Sequence, residues 1–106
     1  MNFAPRNLLE YCRLAVGERQ ALSHLANQLT AFEYERVDQV VSPGEWAIHG
    51  GVLDVFPATF ELPLRIELEG SQIASIRSFN PKTLETLERH TLVVILPRSI
   101  RTRISV

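Results

Sequence analysis

The sequence predicts an α+β fold, in which a twisted, mostly antiparallel sheet carries one main helix on one face. The helix is indicated between Glu18 and Phe32, where apolar residues recur at helical spacing. The sheet is indicated by short runs after residue 33 that alternate apolar and polar residues, with turn residues between them. Most neighbouring strands should be antiparallel, because connections this short do not allow a parallel crossover, which takes about a dozen residues or more.

The boundaries of the strands follow from these alternating runs and from the Pro and Gly residues between them. A short strand before the helix is predicted at 14–16. The later strands are predicted at Tyr34–Val41, Trp46–His49, Val52–Phe56, Leu64–Glu69, Gln72–Phe79 and Thr91–Leu96. Ile73 and Ile76 are three residues apart, so the strand that contains them is expected to bulge between them.

Alternation also assigns the two faces of the hairpin formed by 52–56 and 64–69. Its apolar side chains are expected to point toward the helix: Leu53, Val55, Leu64, Ile66 and Leu68. Its charged side chains are expected to point away, onto a solvated face: Asp54, Arg65, Glu67 and Glu69. The sequence therefore predicts an exposed sheet face that carries an arginine among acids.

Length, charge and cysteine content narrow the class of protein. A chain of 106 residues fits one domain with one core. No apolar run approaches the ~20 residues that span a bilayer, and Glu10 interrupts the start where a signal peptide is apolar, so we expect a cytoplasmic protein with no membrane partner. The single cysteine and three histidines have no metal-site spacing, and no cofactor is expected.

The charge distribution leaves one question open. The net charge of −1 does not favour nucleic acid as a partner of this domain. After Glu88, however, there are no acids and four arginines: Arg89, Arg98, Arg101 and Arg103. This stretch is either a solvated end or a contact for nucleic acid or another partner.

Catalysis finds no support in the sequence. Gly50-Gly51 precedes a strand, whereas phosphate-binding loops open a helix. Carboxylates on an open sheet face stay hydrated, so nothing raises their pKa toward neutrality for acid-base work. We therefore expect neither an enzyme nor a small-molecule substrate. The charged face is then either a set of cross-strand ion pairs or a docking platform with Arg65 as its anchor.

Several short motifs in the sequence resemble those of a known family: VDQV, GGVLDVFP, the P-x-R-I-E run and SIRSFNPKT. The chain is similar to the second domain of the bacterial transcription-repair coupling factor, which is homologous to the UvrA-binding domain of the excision-repair protein UvrB. The resemblance implies a single module over 1–106, a fragment of a larger coupling factor, that recruits UvrA in transcription-coupled DNA repair. It also implies that the ATP-driven translocase lies in other domains.

The resemblance implies a docking face on the charged side of the hairpin. Arg65 matches the arginine that the family carries in its P-x-R arm. His49 stands where the family has an arginine before Gly-Gly, and Glu69 stands where it usually has an aromatic residue. With Asp54 and Glu67 these residues form the expected partner-binding set. The alternative is a scaffold domain, packed within its parent, whose UvrA face has degenerated.

Overall fold

The computed structural model describes residues 10–98, which contain one α-helix and eight β-strands. The helix is α1 (Leu22–Ala31). The strands are β1 (Cys12–Ala15), β2 (Glu35–Arg36), β3 (Glu45–His49), β4 (Val52–Val55), β5 (Leu64–Glu69), β6 (Gln72–Phe79), β7 (Thr86–His90) and β8 (Leu92–Ile95). Within the described residues, no helix has the length and the apolar character needed to cross a membrane.

The strands form two sheets. The larger one has six strands in the order β2-β3-β4-β5-β6-β7, and the smaller is an antiparallel ribbon of β1 and β8. All pairs from β3 to β7 are antiparallel, which confirms the α+β fold with a mostly antiparallel sheet. The β2–β3 pair is parallel, contrary to the expectation for so short a connection. It joins only two residues on each strand, so the short loop 37–44 is enough to bring the chain back beside the start of β2 in the same direction.

One face of the large sheet packs against α1. Leu25 and Leu29 of the helix share a buried cluster with the apolar residues of the hairpin, and the face assignment is confirmed for all of them. Those residues are Leu53, Val55, Leu64 and Ile66, with Leu68 partly buried against the same cluster. The inner side of the β1–β8 ribbon completes this core. Each fully buried side chain of this size stabilises the fold by roughly 1.5–3 kcal/mol.

The helix is shorter than the apolar stripe. It begins at Leu22, four residues after the predicted start, because the preceding backbone is bonded to the start of β6. The N–H of Gln20 donates to the carbonyl of Ser71 at 2.7 Å, and Arg19 bridges Gln72. These bonds hold residues 18–20 in an extended path that the helical spacing does not reveal.

The helix ends in a left-handed turn at Glu33, which has a φ of 69°. The N–H of Glu33 donates to the carbonyl of Thr30 at 3.0 Å, and the N–H of Tyr34 donates to that of Leu29 at 3.0 Å. This pair of bonds is the Schellman motif, in which glycine is the preferred residue at the left-handed position. A glutamate there is under local strain.

Two further strand predictions need correction. The run Tyr34–Val41 is a strand only at Glu35–Arg36, because the chain then turns and buries Val40 against Ala47 and Phe56. β7 was not predicted, and four of its five residues are exposed, so it has no apolar alternation to mark it. The bulge in β6 is confirmed: Glu67 pairs with Ser75 and Leu68 with Ile73, so Ala74 is the extra residue.

The left-handed turn at the helix end gives a first test. Replacing Glu33 with glycine should raise the free energy of unfolding by about 0.5–1 kcal/mol, because glycine adopts a positive φ without a Cβ clash. Urea denaturation followed by circular dichroism measures the change. Glu35→Gly in the adjacent strand β2 is the matched control and should lower stability, since glycine weakens strands. Equal losses in both variants would contradict a strained turn.

Candidate protein-docking face

The side of the six-stranded sheet opposite α1, here called the outer face, is built from two cross-strand rows. In the first row, Asp54, Arg65, Arg77 and Arg89 lie opposite one another on β4, β5, β6 and β7. In the second row, His49, Val52, Glu67 and Ser75 lie opposite one another on β3 to β6. The strand parity predicted for Arg65 is therefore confirmed, and its side chain leaves the sheet on the side away from the helix.

Arg65 and Asp54 form a bidentate ion pair at the centre of the outer face. Nε and Nη2 of Arg65 each donate to a carboxylate oxygen of Asp54 at 2.8 Å. Asp54 has only 5% of its side chain exposed, whereas Arg65 keeps 30%. The expectation of a wet Asp54 is thus wrong, because the neighbouring loops cover it. A buried carboxylate requires such a partner, since an unpaired charge in the interior is strongly destabilising.

The environment favours the charged form of the Arg65 guanidinium. The hydrogen bonds that Arg65 donates to Asp54 are the largest influence and raise the pKa of Arg65, while partial burial works in the opposite direction. The negative charges of Asp54 and Glu67 raise this pKa further. On its flat side, the guanidinium lies over the ring of Phe79, 4.9 Å from the ring centroid. Arg65 is therefore held by a carboxylate at its edge and by an aromatic ring against its plane.

Glu67 belongs to a second ion pair on the same face. Nη2 of Arg77 lies 2.8 Å from Glu67 Oε2 on the adjacent strand. The hydroxyl of Ser75 donates to the other carboxylate oxygen of Glu67 at 2.7 Å. Nε of Arg77 is buried and has no hydrogen-bond partner among the described residues. With 41% of its side chain exposed, Glu67 remains accessible from outside.

His49 and Glu69 lie at the two strand ends nearest the Gly-Gly turn. Both are exposed. The turn itself approaches β5 closely, because the N–H of Leu68 donates to the carbonyl of Gly51 at 3.1 Å. A Cβ at position 51 would lie 3.4 Å from the Leu68 carbonyl oxygen, which is an ordinary contact distance.

A pocket of about 230 Å³ opens on the outer face beside Arg65. It is lined by Gln39, Val40, His49, Asp54, Arg65, Phe79 and Leu84. Three of the five predicted site residues, His49, Asp54 and Arg65, meet in this pocket, while Glu67 and Glu69 lie outside it. The apolar residues that line this pocket were not predicted from the sequence. Phe79 lies within the SIRSFNPKT run and Val40 within VDQV, but neither was expected to line a pocket, and no pattern in the sequence marked Leu84.

Cys12, Tyr34 and Trp46 belong to the core. Burial raises the pKa of the Cys12 thiol to about 11, so the thiol stays protonated and unreactive at neutral pH. The Tyr34 hydroxyl donates to the Leu96 carbonyl and accepts the Ala58 N–H, both at 2.9 Å. Trp46 is buried under the guanidinium of Arg36, which lies 5.2 Å from its ring centroid. Among residues 10–98, no three His, Cys, Asp or Glu side chains are grouped to hold a metal ion.

Two of the four arginines after Glu88 lie within the described residues, in different parts of the fold. Arg89 lies on the outer face, in the first row. Arg98 instead donates to the carbonyl of Glu33 at the end of the helix. Arg101 and Arg103 lie outside the described residues.

This geometry is that of an α+β interaction module. The core packs against the inner side of its charged sheet face. Its pocket is smaller than the roughly 300–1,000 Å³ typical of small-molecule sites. A family model described as the UvrB interaction domain matches residues 12–100. The chain belongs to this family. The family is described as one of interaction domains.

Curated relatives carry the same domain within longer chains. The chain is 42% identical over 84 residues to the transcription-repair-coupling factor of Bacillus subtilis (strain 168), covering 79% of this chain and 7% of that protein. It is 38% identical over 81 residues to the factor of Escherichia coli (strain K12), covering 76% and 7%. It is 35% identical over 81 residues to UvrABC system protein B of Treponema denticola, covering 76% and 12%. The chain therefore spans only a small part of the relatives it matches.

The burial of Asp54 changes what is expected of an Arg65 substitution. Arg65 itself is partly exposed, but Arg65→Ala leaves a buried carboxylate without its partner. Arg65→Ala should lower the free energy of unfolding by roughly 2–3 kcal/mol. Asp54→Asn combined with Arg65→Ala should recover at least half of that loss, because the unpaired charge is gone. Urea denaturation of wild type, both single variants and the double variant measures the coupling. A strictly additive double variant would contradict it.

Proposed function

We propose that the outer face binds UvrA and that the module recruits the excision-repair machinery in transcription-coupled DNA repair. The main support for the proposal is the position of the Arg65 side chain. It contacts Asp54 and Phe79, yet keeps 30% of its surface exposed beside a pocket. A fixed guanidinium loses little conformational entropy on binding, which is a property of interface hot spots. The membership of the UvrB interaction domain family supports a protein as the partner.

The other site residues have distinct proposed roles. Asp54 positions Arg65 and does not contact the partner, because it is buried. Glu67 and Glu69 add exposed negative charge along β5, and His49 adds a donor at the edge of the pocket. Two hydrogen bonds to Asp54 use two of the five N–H donors of Arg65, so others are available to acceptors on UvrA. This role fits a cytoplasmic module of a longer coupling factor, with that factor's other domains as further partners.

The proposal predicts a specific loss of affinity. Arg65→Ala should weaken binding to UvrA from the same organism by about 1–3 kcal/mol, because the partner loses a central charged contact. Titration calorimetry measures the affinity at a temperature where circular dichroism shows the variant fully folded. Arg13→Ala is the matched control. Arg13 is an exposed arginine paired with Glu18 on the separate β1–β8 ribbon, and its removal should leave the affinity unchanged.

The alternative of a scaffold domain makes the opposite prediction. If the UvrA face has degenerated, wild-type protein shows no retention on immobilised UvrA at micromolar concentration. Equal affinity of wild type and Arg65→Ala would instead mean that UvrA binds elsewhere on the module.

A further inference from the structure

Leu84 has a backbone conformation that leucine rarely adopts. Its φ is 66°, and it shares a positive φ with only one other non-glycine residue in the described chain, Glu33. Glu33 occupies the left-handed position of a helix end, where such an angle is common. Leu84 occupies a similar left-handed position at the end of the turn 80–84, where its N–H donates to the carbonyl of Asn80, yet glycine or asparagine is preferred there and 47% of the leucine surface is exposed. A bulky apolar residue is therefore held in a strained conformation where it gains little from burial.

The loop around Leu84 is braced so that this conformation persists. The side-chain oxygen of Asn80 accepts the N–H groups of Lys82 at 2.8 Å and Thr83 at 3.2 Å. The backbone of Asn80 closes the loop. Its carbonyl accepts the N–H of Leu84 at 2.6 Å, and its N–H donates to the carbonyl of Glu85 at 2.9 Å. None of these bonds needs a leucine side chain at position 84. Strain that the surroundings maintain without a structural need is characteristic of functional positions.

The strained residue lies at the pocket on the outer face. Leu84 and Val40 come from the two loops that border the pocket, and Phe79 supplies a further apolar wall. The polar part of the lining is different in character. The carboxylate of Asp54 is occupied by Arg65, so Arg65 and His49 present donors to an incoming group. The pocket thus combines apolar walls with N–H donors at its edge, and its volume of about 230 Å³ suits one side chain.

We propose that Leu84 is an apolar anchor of the docking face and that the pocket receives one apolar side chain of the partner protein. The side chain packs against Leu84, Val40 and Phe79, while Arg65 donates to a carbonyl or carboxylate oxygen on the same partner segment. This inference rests on the proposed function and names the contact that the site makes. It adds a specificity-determining residue that lies outside the hairpin carrying Arg65.

The conformation of Leu84 provides an unusually clean test, because asparagine and glycine adopt a positive φ more readily than leucine. Leu84→Asn and Leu84→Gly should keep or raise the melting temperature, yet weaken binding to UvrA roughly fivefold or more in titration calorimetry. Leu92→Asn is the matched control. Leu92 is equally exposed, at 48% against 47%, but lies on β8 of the separate ribbon, so its substitution should leave the affinity unchanged.

The outcomes separate the two proposals. Wild-type affinity of both Leu84 variants, together with weakened binding of Arg65→Ala, would overturn the anchor role and leave the docking face in place. A lower melting temperature in both Leu84 variants would also overturn it, because the leucine would then be retained for stability. Failure of the wild-type protein to bind UvrA would overturn the proposed function and this inference together.

Discussion

The bidentate pair of Asp54 and Arg65 is the interaction on which the outer face depends. Placing a carboxylate under the covering loops is tolerable only because both of its oxygens accept charged hydrogen bonds at 2.8 Å. The same bonds fix the plane of the guanidinium, and Phe79 then packs against that plane. Stability and the proposed recognition therefore depend on the same ion pair. A residue that would otherwise be a flexible surface arginine becomes a rigid part of the sheet.

The two faces of the six-stranded sheet are covered in different ways. The helix side is closed by aliphatic packing around Leu25 and Leu29, which needs no directional contacts. The outer face is only partly closed, by the loop that buries Val40 and by the loop that carries Leu84. Between these loops the charged row remains accessible. A rigid scaffold that presents loops and one fixed charge is a common arrangement for binding, because the scaffold bears the entropic cost of order before the partner arrives.

Side-chain parity was the part of this structure most readily predicted from sequence. A strand period of two placed Arg65 opposite the core, and the spacing of Ile73 and Ile76 predicted the bulge in β6. Burial of Asp54 could not be predicted, because it depends on loop 37–44 folding back over the sheet, a tertiary event with no local pattern. The start of the helix was misplaced for a similar reason, since bonds from residues 18–20 to β6 overrule the apolar stripe. Leu84 carries no signal at all in the sequence, because its strain exists only in the folded loop.

The rigidity of the Arg65 guanidinium can be measured directly by nuclear magnetic resonance on arginine-labelled protein, with Arg65→Lys used to assign its signals. The ion pair predicts a resolved Arg65 Nε–H signal that exchanges slowly with water, and restricted rotation about the Nε–Cζ bond. The exposed Arg13, whose ion pair leaves 49% of its side chain accessible, provides the internal reference for a mobile arginine. If Arg65 exchanges and rotates as rapidly as Arg13, the guanidinium is not fixed, and the account of the outer face as a preorganised docking site is contradicted.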